Sequence, residues 1–213
     1  MEVDRAEALR YLGYKRGQQP DDQTESILNA CIPALSNAAR FLSVHLRVNA
    51  SVEGEQIALG PLKLTSRALA RHLENCKEAY LFAATLGAGV DRLMQTYTRT
   101  DLPAAVVLQA CAAALLESFC DEVQADIEKK LGSGLMLRPR FSPGYGELSL
   151  DCQPDILRIL DASKKIGLSC TGTNMLTPTK SITAIMGIRH GERQFITHNC
   201  SDCNKDQCAY KKE

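Results

Sequence analysis

Residues 140–146 read RFSPGYG. Pro143 fixes one torsion and biases Ser142 toward extended backbone. Gly144 and Gly146 tolerate positive φ and let another group approach the main chain closely. Arg140 adds a planar donor fork suited to a carboxylate or a phosphate, and Tyr145 adds a flat face with a hydroxyl. The stretch reads in two ways. It is a surface turn, of the kind proline and glycine commonly form, or it is a stiff loop that offers a guanidinium and bare peptide groups to a small zwitterion or a nucleoside.

Working outward, the longest element lies just upstream. Asp101 caps it, Pro103 sits in its first turn where a missing N–H costs nothing, and it runs to Lys130 before Gly132-Ser133-Gly134. Its first half is apolar on nearly every side and should be buried. Its second half carries Glu117, Asp121, Glu122, Asp126 and Glu128. Downstream, 155–165 is predicted as a helix ending at Gly167. Ser181–Ile188 is predicted as a strand, with Ile182, Ala184, Met186 and Ile188 on one face. Towards the N-terminus, Asp4–Leu12 and a segment capped by Asp21, Asp22 or Thr24 are predicted helices, the second kinked by Pro33. Leu42–Val48 alternates as a half-buried strand with His45 outward. A turn near 53–55 leads to a second strand over 56–64. Ser66 caps a helix to about Asn75, Tyr80–Thr85 is a short strand, and a helix follows Gly87 and Gly89 to about Tyr97. Helices and strands mix without a regular strand–helix repeat. The predicted class is therefore α+β, a mixed or antiparallel twisted sheet with flanking helices, with one domain over 1–195 and a Cys-rich tail over 196–213.

The chain has 213 residues, 45% of them apolar and 23% charged, with 25 basic against 25 acidic side chains. That length buries a sizeable core, and the balanced charge gives no electrostatic case for nucleic acid or an anionic membrane. Met1–Arg10 lacks the apolar run of a signal peptide. The apolar stretch Leu102–Leu116 is too short to span a bilayer. The expectation is a cytoplasmic protein. Of nine cysteines, those at 31, 76, 111, 120, 152 and 170 are scattered singly and read as small buried hydrophobes.

Cys200, Cys203 and Cys208 are clustered at the end. Cys-x-x-Cys lets two thiolates reach one metal, and a third can close over it. Three thiolates could hold zinc, with His198, Cys170 or Cys152 as a fourth ligand, or an iron–sulfur cluster. Free thiols in a tail fit the same residues. No Ser-His-Asp arrangement, P-loop or dinucleotide fingerprint is visible.

Arg140-Phe141-Ser142-Pro143-Gly144-Tyr145 resembles the Arg-Pro-(Ala/Ser)-Pro-Gly-Tyr signature of the activation domain of cobalamin-dependent methionine synthase. Glu117–Asp121 is similar to the acidic helix before that signature, and Met175–Gly187 to a later strand. Arg10–Tyr14 looks like the start of short, stand-alone relatives, which share a cysteine tail. The resemblance covers most of the chain and is sharpest over 117–188. It implies that the domain binds S-adenosylmethionine. It also implies that the domain helps restore an oxidised cobalt cofactor, using one electron, from a flavodoxin- or ferredoxin-type donor, and a methyl group. By position, Arg140 would hold the ligand's carboxylate, the backbone around Ser142, Gly144 and Tyr145 would line its adenosine and amino-acid parts, and Asp121 would face its cationic end. Met186 stands about where the family has a tyrosine. The Asp-x-His-x-x-Gly motif that ligates cobalamin is missing. Cobalamin would therefore be reached only through a separate methionine synthase or related corrinoid protein. Chemistry would belong to that complex, with no catalytic side chain here. A different class fits the residues too: a metal- or iron–sulfur-binding redox or interaction module for another corrinoid methyltransferase, without S-adenosylmethionine.

Overall fold

In the computed structural model, residues 1–15 and 17–190 are described. Among these residues seven α-helices flank a sheet. In chain order the elements are α1 (Arg5–Tyr11), α2 (Asp22–Ala38), β1 (Leu42–Glu53), β2 (Gln56–Leu59), β3 (Leu62–Thr65), α3 (Arg67–His72), β4 (Glu78–Thr85) and α4 (Ala88–Thr100). They continue with α5 (Leu102–Lys129), β5 (Leu135–Leu137), α6 (Gln153–Leu160), α7 (Ala162–Ile166), β6 (Ser169–Cys170), β7 (Leu176–Thr177) and β8 (Ser181–His190). Six strands form one antiparallel sheet in the order β3-β2-β1-β4-β8-β5, and β6 pairs with β7 beside it. This is the α+β class the sequence pattern implies.

The central strands bury both faces. Phe82 and Ala84 of β4, with Ala184, Met186 and Ile188 of β8, pack against α1, α2, α4 and α5. Ala79, Leu81, Ala83 and Ile185 face a second core built with α3, α6, α7 and the β2–β3 hairpin. Thr183–Ile188 is therefore buried at every position, on both of its alternating faces. A centrally placed strand covered by helices on both sides need not alternate in polarity.

Caps fall where the side chains allow. Asp21 accepts from Thr24 N at 2.7 Å, Ser66 from Leu69 N at 3.1 Å and Asp101 from Ala104 N at 3.0 Å. Helix α2 runs through Pro33. Helix α5 is 28 residues long, and by length and composition it could cross a bilayer, contrary to the shorter stretch read from sequence. Most of its apolar window is buried inside the fold, as in a core helix. Leu102 and Val106, 63% and 55% exposed, are large apolar side chains that this half leaves to solvent.

Three other boundaries differ from expectation. The strand expected over 56–64 is two strands, broken where Gly60 takes φ +56°. The helix expected over 155–165 is broken at Asp161, which adopts left-handed backbone between α6 and α7. The helix after Ser66 stops at His72, and Asn75, also left-handed, turns the chain into β4.

Candidate functional site

The 140–146 segment is held against β8 and re-aimed by one extra residue. Leu137 stands opposite Ile188, and Arg138 N donates to Gly187 O at 2.8 Å. Phe141 then pairs directly with Ile185 through two backbone bonds, 3.0 and 2.8 Å. Pro139 and Arg140 together therefore face Met186 alone, a β-bulge. Phe141 is left on the α3 side, packed with the second core and with His72 at 5.1 Å between ring centroids, while Arg140 turns to the α5 side.

There Arg140 meets the acidic half of α5. Its Nη2 donates to Glu117 at 2.8 Å and to Asp121 at 2.7 Å, and its Nη1 to Gln124 Oε1 at 3.0 Å. Residues 117, 121 and 124 lie on one helical face by their spacing of four and three. The arginine side chain is 11% exposed, whereas Glu117 is 41% and Asp121 72% exposed. Burial alone would weaken the guanidinium's hold on its proton, but the two carboxylates turn the net shift upward. The cation is thus seated under its partners, and one negative charge remains in excess at the surface. Cys120 lies beside this group. Burial pushes its thiol up to about 12, so it behaves as a small core residue.

The bend itself is tight. Gly144 (φ +92°) donates to Leu148 O at 2.8 Å, and Tyr145 N donates to Ser142 O at 3.1 Å. At Gly146 (φ +54°) a Cβ would lie 2.9 Å from Ala68 Cβ, so glycine is required both by the backbone and by the neighbour. Glu147 accepts from Ala68 N at 3.1 Å and ties the bend to the start of α3. Tyr145 is 57% exposed, its ring edge-on to Phe141 at 6.0 Å. The Ser142 hydroxyl is buried with no hydrogen-bond partner among the described residues. Beneath the bend, burial and then the nearby Arg138 push the His72 imidazole down to about 4.

The structure brings Arg140 and Asp121 into contact and sets Ser142, Gly144 and Tyr145 on the bend that follows. Three residues of this neighbourhood were not singled out in the sequence: Gln124, His72, and Glu147 as an anchor. The i, i+4, i+7 spacing from Glu117 was the available signal for Gln124. Met186, fully buried, fills the α5-side core opposite the bulge. Cys200, Cys203 and Cys208 lie outside the described residues. Among the described residues no group of three His, Cys, Asp or Glu side chains is placed to hold a metal.

A cleft of about 480 Å³ lies elsewhere, where α4, α5 and the segment before β8 meet, lined by residues that include Asp91, Gln95, Arg99, Gln109, Thr179 and Lys180.

No sequence model of a known family and no curated protein matches the chain. Among solved structures it is similar in fold to the crystal structure of the MetH reactivation domain bound to AdoHcy, with a TM-score of 0.66, 14% identity, and coverage of 91% of this chain and 76% of that one.

Proposed function

We propose that the chain is an S-adenosylmethionine-binding reactivation module that serves a corrinoid protein on a separate polypeptide. The observation that carries this reading is the conjunction of two features. The fold is similar to that of a MetH reactivation domain crystallised with AdoHcy, and the Arg-Phe-Ser-Pro-Gly-Tyr bend is docked through Arg140 on the acidic face of α5.

The physical chemistry suits the ligand. S-adenosylmethionine has one carboxylate and two cationic centres, the amine and the sulfonium. Asp121 and Glu117, held outward by Arg140, offer negative charge to the cationic end. The bend offers the exposed Tyr145 ring, held in place by the Gly144 and Tyr145 N–H groups bonded within the bend. In this reading the ligand's carboxylate takes the place of Glu117 on Arg140, while Asp121 keeps its bond to the guanidinium and faces the cationic end. The protein's contribution is positional, with the sulfonium methyl presented in line with its leaving sulfur. The partner's corrinoid supplies the nucleophile, so no side-chain base is needed here.

Isothermal titration with S-adenosylmethionine tests this. Arg140→Ala is expected to weaken binding by about 1.5–3 kcal/mol, the worth of a charged hydrogen bond. Addition of the protein should restore activity to an oxidised methionine synthase that lacks its activation region.

One observation favours a second reading, a redox or interaction module without S-adenosylmethionine. Met186, at the position where the resembled family has a tyrosine, is fully buried and offers no hydroxyl. Absence of any heat with S-adenosylmethionine, together with iron and sulfide or zinc in anaerobically purified protein, would support that reading.

A further inference from the structure

The α4–α5 cleft has the opposite character to the bend. Its single lining carboxylate, Asp91, is already engaged. Its oxygens accept from Thr179 N at 2.9 and 3.1 Å and from Thr179 Oγ1 at 2.7 Å, which fastens the chain entering β8 to α4. Lys180 follows directly. Its carbonyl accepts from Leu86 N at 2.9 Å, so its backbone is fixed against the end of β4. Its Nζ donates to Gln109 O at 3.2 Å, and among the described residues the ammonium has no ion-pair partner. An ammonium carries three donors, and among the described residues two are left without a protein acceptor. Burial pushes its pKa below the ordinary lysine value, with Asp91 pulling the other way. Arg99, exposed and without an ion-pair partner among the described residues, adds a second cation at the rim, and Gln95 and Gln109 add amides.

We propose that this cleft binds a small organic anion, a carboxylate or a phosphate monoester, through Lys180 and Arg99. A volume of about 480 Å³ is in the range of small-molecule sites and far larger than an inorganic ion needs. The anionic group therefore sits on an organic body that the two glutamines can hydrogen-bond. The site is separate from the bend. Lys180 precedes β8, whereas Arg140 stands opposite Met186, about 20 Å further along the strand at about 3.3 Å per residue.

The test is isothermal titration of the full chain in low-chloride buffer with two probes, adenosine monophosphate for the phosphate class and citrate for the carboxylate class. At least one is expected to bind with a Kd of about 1 mM or below. Lys180→Met, which keeps the aliphatic stem, should weaken binding about tenfold or more. Lys164→Met, removing an equal charge from α7, should leave it unchanged. The responding probe names the class. No heat from either probe at about 10 mM, ten times that constant, overturns the proposal, as does equal binding by the Lys180→Met protein. A second readout does not depend on how that variant folds. In the wild type, the Lys180 Cε signal followed by NMR should titrate below the other lysines and move upward on saturation with the binding probe. A midpoint that saturation leaves in place contradicts the assignment.

Discussion

The bend at 140–146 and the α4–α5 cleft each centre on one partly desolvated cation, and they neutralise it differently. At the bend, Arg140 is covered by two carboxylates and an amide from a single helix, and negative charge is left over at the surface. In the cleft, Lys180 has a backbone carbonyl for company, while the nearby Asp91 is turned to Thr179. The difference teaches that a buried cation does not by itself mark an anion site. What matters is whether the fold has already supplied its counter-charge. On that criterion the bend suits the cationic end of a ligand and the cleft suits an anion.

The largest expected effect falls on α4, the helix that carries Asp91, Gln95 and Arg99 of the cleft. A Cβ on Gly89 would lie 2.3 Å from Ala38 O, and neither backbone can yield cheaply. Gly89→Ala should cost about 3 kcal/mol in chemical denaturation and move α4, disturbing anion binding more than S-adenosylmethionine binding. Equal loss at both places would join what is described here as separate.

The bend has its own acid sensitivity through His72. Its folded pKa is about 4 against about 6.5 unfolded, so the native state holds fewer protons in between. Stability is then lost as pH falls through 6.5 and levels off below about 4, by up to about 3 kcal/mol. Denaturation of wild type and His72→Gln across that window should show the difference, and parallel curves would remove His72 from the account.

Arg140→Ala leaves Glu117 and Asp121 as facing like charges and removes a buried charged hydrogen bond. Because both acids are partly exposed, the loss of stability should be about 2 kcal/mol, read as a lower denaturation midpoint. Lys180→Met should be the mildest, within about 1 kcal/mol and toward greater stability at neutral pH, since it removes a charge held against its desolvation. The sign can be checked by pH. A lysine whose folded pKa is depressed makes the wild type gain stability as pH rises toward the ordinary lysine value, and the methionine variant should lack that gain.

Much of this was legible in the sequence, for reasons that can be named. Asp101 and Pro103 announce the start of α5, and the switch from Ala-rich to acidic within it foretells a helix buried at one end and wet at the other. The Arg140–Asp121 pairing was half legible. Both residues stood out, but as two separate ligand contacts, because the bulge at Pro139–Arg140 that turns Arg140 toward α5 depends on register with β8 and has no local signature. The break at Asp161 was hidden because left-handed backbone is uncommon for any residue but glycine, and although aspartate adopts it more readily than most, nothing local in the sequence required it there. The cleft was invisible, since Asp91 and Gln109 on two consecutive helices meet Lys180 only through the segment that enters β8, 71 residues after Gln109, and none belongs to a motif.

The central claim is that the carboxylates held by Arg140 face a positive ligand. It is tested most directly by comparing the affinities of S-adenosylmethionine and AdoHcy, which differ by one methyl group and the sulfonium charge, on wild type and on Asp121→Asn. Wild type should prefer S-adenosylmethionine by about tenfold, and the variant should lose most of that preference. Equal affinity for the two ligands in the wild type, or a preference untouched by Asp121→Asn, would contradict it.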